Sequence, residues 1–443
     1  MRVGFGRSDI TPRVGVELSG FGPFLCRHSI AVRDRLWARA MALELAGTRA
    51  VLVSCDLIGT SLAITRRVRE IVSKATGLPG DAIMVACTHT HSGPNTGGYI
   101  GSGVPDEPYL ATLPGRIARA CTDAVGAVQE ATLAHAEVPC EGVALNREYD
   151  VDAPPLDEVL QDAWRPARPE LTDTTCHVVK AEADGRLLGF FSYFGCHPVV
   201  CCATTRSIHG DYAGVATNML ERRNPGSVGL FLQGAEGDVN TCVVHKPEQD
   251  SLLALDVVAA RYANAVAAGL RQAEPLAADA LAFARREVVF RRKPWGVDKL
   301  RRMLAEREER LSAAGSTDAQ GDVRRDTVEA IALRRLIAAA ERGESLQPPI
   351  EVQGVRIGPL ALLGSPFETF QAIKNEVCAG ARAPIPLVMS AVNDAVGYAP
   401  DREAAARGGY AADVVPFCCG ALPFANAHEE LVQALLDIDA ALS

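Results

Sequence analysis

Residues 48–94 read TRAVLVSCDLIGTSLAITRRVREIVSKATGLPGDAIMVACTHTHSGP, and the order of segments within them sets the architecture. The first run, 48–56, is short, apolar and rich in β-branched residues, which marks a buried strand. Residues 61–74 place apolar side chains at helical spacing, and Gly77 with Pro79 stops the helix. Residues 81–87 (DAIMVAC) form a second buried strand, and the polar run Thr88-His89-Thr90-His91-Ser92-Gly93-Pro94 follows at once. Strand, helix and strand with short connections predict a sheet covered by helices.

Outward from this segment the alternation continues. A helix is expected at 109–129, strands at 174–181, 187–194 and 228–232, and helices at 212–221 and 252–271. Residues 352–363 read as a hairpin with Gly354 in or near its turn, 365–377 as a helix, 385–391 as a strand and 429–442 as a closing helix. The fold class expected is therefore α/β, with mixed, mostly parallel sheets flanked by helices in one domain over 1–443. No internal repeat is visible. Two segments depart from the pattern. Residues 150–169 combine prolines with acidic side chains and read as an irregular loop or lid. Residues 297–345, rich in Arg, Glu and Ala and broken near Gly315 and Gly321, read as a helical hairpin with i,i+4 charge pairing. That hairpin is a solvated excursion, a contact in a homo-oligomer or a cap over a substrate.

Composition removes several classes of function. The 443 residues carry a formal net charge of −9 without a Lys/Arg stripe, which argues against nucleic acid and against a polyanionic substrate. The first residues contain no apolar signal core, and no stretch approaches the ~18 uninterrupted apolar residues of a membrane span. The expectation is a cytoplasmic protein with no stable membrane association. Thirteen cysteines, an odd number, include the close pairs Cys201-Cys202 and Cys418-Cys419 without C-x-x-C spacing. They are expected to be free and mostly buried rather than disulfide-bonded or zinc-binding.

The nine histidines are few, and three of them cluster at predicted strand ends. His89 and His91 lie two apart after residues 81–87, so in extended backbone they share a face. His197 follows the strand at 187–194. Ligands in open α/β sheets bind beyond the carboxyl ends of strands. One such histidine alone reads as a structural residue, whereas the three together favour zinc. Both His89 and His91 can meet the metal, or one can bind it while the other handles a proton. Asp211 reads as a helix cap or as support for the site, and Asp238 with Asn240 as a turn. No phosphate-binding glycine loop and no G-x-S-x-G elbow is present. A cysteine nucleophile beside His197, Cys196 or Cys202, is a further reading.

One set of short motifs runs through Asp9-Ile10-Thr11-Pro12, Leu36-Trp37-Ala38-Arg39-Ala40, the 88–94 motif, Asn146-Arg147 and Cys196-His197-Pro198. It continues through Gly210-Asp211, Gly237-Asp238-Val239, Pro366-Phe367-Glu368-Thr369 and Asn393-Asp394-Ala395-Val396-Gly397-Tyr398 to Tyr410. In these motifs and their order the chain resembles the neutral/alkaline ceramidases and their N-terminal-domain homologues. The resemblance implies one catalytic zinc held by His89, His197, Glu368 and Tyr398, of which Tyr398 is the unusual ligand. It also implies that His91, Arg147 and Tyr410 surround a scissile amide. Without it, Glu368 reads as an exposed residue early in a helix and Tyr398 as a loop aromatic.

There are departures from the family. Asn240 stands where the family has a serine, aromatic residues make up only 5%, and residues 150–173 differ from the family's usual text. No signal segment or C-terminal Ig-like domain is expected. These features shift the expected substrate from ceramide to a small soluble amide. An esterase, lactonase or cyclic-imide hydrolase, a ceramidase proper, and a non-catalytic binding protein of the same fold are the alternatives.

Overall fold

The computed structural model describes residues 1–150 and 154–443. Its first sheet is built from β1 (Arg2–Asp9), β2 (Trp37–Leu45), β3 (Thr48–Cys55) and, after helix α1 (Leu62–Thr76), β4 (Ile83–Cys87), followed by α2 (Glu107–Gly126). The strands lie in the order β4-β3-β2-β1, and only β3 and β4 run parallel. The side chain of Ser61 caps α1, and Gly77 ends it in the left-handed conformation.

The same plan occurs twice more. In the second unit β5 (Thr132–Pro139), β6 (Thr175–Ala183) and β7 (Arg186–Phe194) are antiparallel neighbours. Helix α3 (Asp211–Arg223) then crosses to β8 (Val228–Gln233), parallel to β7, and α4 (Glu248–Gln272) follows. The third unit runs from β9 (Leu281–Val288) through the helical hairpin α5 (Val297–Leu311) and α6 (Gly321–Glu341) to β10 (Ile350–Ile357) and β11 (Leu360–Gly364). Helix α7 (Gln371–Gly380) crosses to β12 (Ile385–Met389), parallel to β11, and α8 (Ala427–Ala441) completes it.

The sheets are mixed and helix-covered, but antiparallel neighbours outweigh the parallel ones expected. The reason is local. Two-residue turns join β2 to β3 through Ala46-Gly47 and β6 to β7 through Asp184-Gly185, all four residues with positive φ. Turns of that kind close antiparallel hairpins. The hairpin expected at 352–363 turns at Gly358-Pro359 instead. Gly354 lies inside β10, where a Cβ would come 2.4 Å from Ile438 of α8.

Strand alternation divides each sheet between two cores. Met41, Leu43, Leu52, Phe191, Leu230, Leu232, Leu360 and Leu362 point inward and meet in a central cluster shared by all three sheets. Their neighbours Ala40, Ala42, Val51 and Val53 face α1 and α2. Phe190 and Phe231 face α3 and α4, and Ala361 and Leu363 face α7 and α8. Helix α4 is long and apolar enough by composition to cross a membrane, yet its buried side belongs to the core of the second unit.

Buried ion pairs join the units. Arg39 of β2 bonds Asp56 at 2.9 Å and reaches α3 through Glu221 at 3.0 Å and Asn218 at 2.6 Å. Arg69 of α1 grips both Glu351 oxygens of β10, at 2.9 and 2.8 Å.

The 297–345 segment is a helical hairpin, but its charges pair mainly between its helices. Arg307 meets Glu329 and Arg334 meets Glu308, both at 2.7 Å. Its buried side, Leu300, Val328, Leu333 and Leu336, packs on Ile100, Phe417 and Leu422. Within 150–169, residues 151–153 lie outside the described residues. The remainder holds a short helix at Leu156–Val159 and a turn of 3-10 helix at Pro169–Leu171.

Candidate metal centre

The carboxyl ends of the three parallel pairs converge. Ala391 O, just beyond β12, accepts from Cys87 N at the end of β4, and Gln233 O of β8 accepts from Ser390 N just beyond β12. The loops leaving these ends carry His89 from the first unit, His197 from the second and Glu368 from the third. His89 adopts φ +63°, a left-handed conformation uncommon outside glycine and frequent at functional sites.

Each histidine is oriented by a main-chain carbonyl. His89 Nδ1 lies 2.7 Å from Ile58 O and His197 Nδ1 lies 2.7 Å from Glu236 O. A carbonyl only accepts, so Nδ1 carries the proton and Nε2 of the neutral ring presents its lone pair. Both Nε2 atoms face Glu368 Oε2, at 3.5 Å from His89 and 3.0 Å from His197. Two lone pairs and a carboxylate oxygen pointed at one another repel unless a cation lies among them. Imidazole and carboxylate with carbonyl-fixed Nδ1 protons are the donor set that suits zinc.

Without a metal ion, a proton on His89 takes the place of that cation. Burial opposes a protonated His89, yet the carboxylates of Glu236 and Glu368 hold it up to about 9. Burial also disfavours ionised Glu368, but His89 and His197 keep its carboxyl well below the usual range. Burial and the nearby Arg147 charge push His197 down to about 4.

Glu368 is not early in a helix, as its sequence suggests. It begins the two-residue strand Glu368–Thr369, whose parallel partner is Tyr398–Ala399, so Glu368 and Tyr398 sit side by side in register. The Tyr398 ring is 6.2 Å from that of His197, and burial with the Glu368 charge keeps its phenol well above the usual value. Arg147 stacks over Tyr398 at 5.1 Å and donates to Asn240 Oδ1 at 3.2 Å and Gly237 O at 2.7 Å. Tyr410, more than half exposed, stands 5.9 Å from Tyr398 at the rim.

His91 joins this group as well. Its ring is 5.1 Å from His89 and 5.8 Å from His197, and both of its buried nitrogens lack hydrogen-bond partners among the described residues. The nitrogens of His89, His91 and His197 lie within 4.8 Å of one another, so distance alone admits His91 as a ligand in place of Glu368. Its Nδ1 has no carbonyl partner, which sets it apart from the other two.

His89, His91, Arg147, Asn240, Glu368, Tyr398 and Tyr410 line a cavity of about 720 Å³, and His197 lies buried behind them. Its wall also includes Phe21, Ile58, Ile100 and Val415, together with Val328 and Glu329 of α6. The helical hairpin is therefore part of the pocket, which makes it a wall as well as a solvated surface.

Glu236 was not singled out by its sequence. Its carboxyl is wholly buried, has no hydrogen-bond partner on either oxygen among the described residues, lies 3.9 Å from His89 Nδ1 and is pushed up to about 8 by burial. The only sequence signal was its place in a polar run after a strand. Asp211 and Asp238 have structural partners. Asp211 accepts from the main chain of Val200 and Tyr212, and Asp238 from Asn146 and Gln371. All thirteen cysteines are free, and Cys196 is packed in the core of the second unit.

The family model for the neutral/alkaline non-lysosomal ceramidase N-terminal domain matches residues 1–251. The neutral ceramidase of Pseudomonas aeruginosa is 27% identical over 261 residues, covering 56% of this chain and 38% of that protein. The neutral ceramidase of Drosophila melanogaster is 25% identical over 260 residues, covering 54% and 36%. The matched segment thus spans less than two-fifths of these relatives. The crystal structure of the Pseudomonas aeruginosa neutral ceramidase superimposes with a TM-score of 0.76 at 22% identity, over 100% of this chain and 74% of that one. With the family model covering more than half of its length, the chain belongs to the neutral/alkaline non-lysosomal ceramidase family through that family's N-terminal domain.

Proposed function

We propose that this protein is a zinc-dependent hydrolase that cleaves the N-acyl amide bond of a small soluble substrate. The observation that carries this reading is the meeting of His89 Nε2, His197 Nε2 and Glu368 Oε2 at the cavity floor, with Tyr398 beside Glu368. These four would hold the ion, and when bound it supplies Lewis acidity to the carbonyl and a water acidic enough to attack near neutral pH.

The remaining steps belong to side chains. Burial and the neighbouring His89 and His197 hold His91 well below its usual pKa, so it enters as a neutral imidazole with both nitrogens free. It takes the proton from the attacking water and returns it to the departing nitrogen, so the amine leaves neutral as the carboxylic acid forms. Arg147, fixed by Asn240 and Gly237, and Tyr410 at the rim donate to the oxygen that gains charge. Such a donor is typically worth ~3 kcal/mol of transition-state stabilisation.

A cavity of about 720 Å³ suits a ligand of small-molecule size. The apolar wall of Phe21, Ile58, Ile100 and Val328 favours a second reading, a lipid amide such as ceramide, which is the substrate named for the relatives. A direct comparison decides between them. The purified protein is given ceramide in detergent and a water-soluble N-acyl amide of equal acyl length, with the matched ester as a third arm. Faster turnover of the soluble amide, abolished by His197→Ala and by chelation, is the expected outcome. Faster turnover of ceramide replaces the substrate assignment, a preference for the ester replaces the bond, and full activity in metal-free protein removes the metal.

A further inference from the structure

A second group of imidazoles lies on β5 and β6, apart from the pocket. His135 and Glu137 are two residues apart on β5, so they share a face, and His177 of β6 is the register partner of Glu137. The rings of His135 and His177 are stacked, with centroids 5.4 Å apart and planes 14° apart. His135 Nε2 and His177 Nδ1 share a hydrogen bond of 3.2 Å, whose proton an ion would replace, and Glu137 Oε1 is 3.7 Å from that same Nδ1. One nitrogen atom from each ring and one carboxylate oxygen therefore converge within 4.8 Å of one another.

We propose that His135, Glu137 and His177 form a second metal site, for a divalent transition ion of the zinc class, clasping β5 to β6. The distances match that chemistry. Two zinc–nitrogen bonds of about 2.0–2.1 Å at a tetrahedral angle separate the nitrogens by about 3.4 Å, close to the 3.2 Å found. Two imidazoles and one carboxylate make a zinc, copper or nickel donor set, with a fourth position left for water.

The surroundings permit the site. The Tyr193 and His177 rings pack edge to face with centroids 5.7 Å apart. Lys374 of α7, the nearby cation, is paired with Asp173, which offsets its charge. The Glu137 side chain is 54% exposed, so ions reach the site from solvent. A third trio, Cys201, His209 and Asp211, lies equally close together. There the Asp211 oxygens already accept from three main-chain N–H groups, and Arg27 and Arg33 place positive charge against His209.

The test is metal counting with zinc as the probe. Wild type and the His135→Ala/His177→Ala double variant are dialysed against the same free zinc and metal per chain is measured. The double variant is expected to hold one equivalent fewer while its hydrolytic rate stays at the wild-type level. Equal zinc content in the two proteins overturns the proposal. Histidine footprinting on the wild type alone gives a reading even if the double variant fails to fold. Zinc is expected to protect His135 and His177 from acylation by diethyl pyrocarbonate, and unchanged modification of both overturns the site. Neither measurement depends on the reading of the pocket, because His89, His197 and Glu368 are untouched.

Discussion

Gly20 and His91 approach so closely that a methyl group has no room between them. A Cβ on Gly20 would stand 2.6 Å from His91 Cγ and Nδ1, and Gly20 has φ +97°. Gly20→Ala is therefore expected to turn the His91 ring away and lower kcat about 100-fold, the usual scale for a misplaced reacting group. Zinc content should stay unchanged, because His89 and His197 are held by other carbonyls. Steady-state kinetics with metal analysis checks both, and loss of zinc together with activity would make His91 a ligand. His209 offers a prediction on stability. Burial, with the Arg33 and Arg27 charges, pushes its pKa down to about 3, below the ~6.5 of an unfolded histidine. Between pH 6.5 and 3 the unfolded chain binds the extra proton, so His209 withdraws stability as pH falls through that window. Asp211, raised to about 6 by burial, acts in the opposite sense from pH 6 down to about 4. The two partly cancel, so the clean measure is wild type minus His209→Gln. That difference in urea midpoint is expected to move in favour of wild type as pH rises from 4 to 6.5, and a difference constant with pH would contradict it.

Among the elements, α6 changes most in meaning between sequence and structure. Its charges made it look solvated, and many of them do face solvent or the partner helix, but Val328 is buried and faces the cavity. Val328→Trp should fill part of that space and shorten the acyl chain that fits. KM should rise several-fold for long acyl groups with little change for acetyl, as a panel of chain lengths will show. Equal effects at every length would remove α6 from the substrate's path. Most helices and the apolar strands were legible because their periodicities are strong. The missed strands β1, β2, β5 and β9 mix charged or small residues with apolar ones, as in Arg2–Asp9, where Gly4 and Gly6 make room for the backbone of α2. Asp184-Gly185 carried a readable hairpin signal. Ala46-Gly47 did not, because alanine at positive φ is imposed by the pairing around it. Glu368 was misplaced because two-residue strands have no periodicity, and its pairing with Tyr398 joins segments thirty residues apart in sequence.

Across the whole molecule one topology is used three times, and no repeat was visible because it asks only for alternating faces, which many sequences satisfy. In each unit the link between the first two strands is long and reaches the cavity. The first link brings Gly20 and Phe21, the second Arg147, and the third the α5–α6 hairpin. The three loops beyond the parallel pairs deliver His89, His197 and Glu368. The histidines were legible from clustering at strand ends, whereas Glu368 and Tyr398 were reached through the family resemblance alone. The central claim is that all three units contribute to a single zinc, the first through His89, the second through His197 and the third through Glu368 with Tyr398 beside it. The most direct measurement is an anomalous difference map at the zinc absorption edge from crystals of the protein. The account predicts a peak at the cavity floor bonded to His89 Nε2, His197 Nε2 and Glu368, with Tyr398 beside it and His91 outside bonding distance. A peak bonded to His91 with Glu368 turned away, or a cavity floor without a peak in zinc-replete crystals, would contradict it.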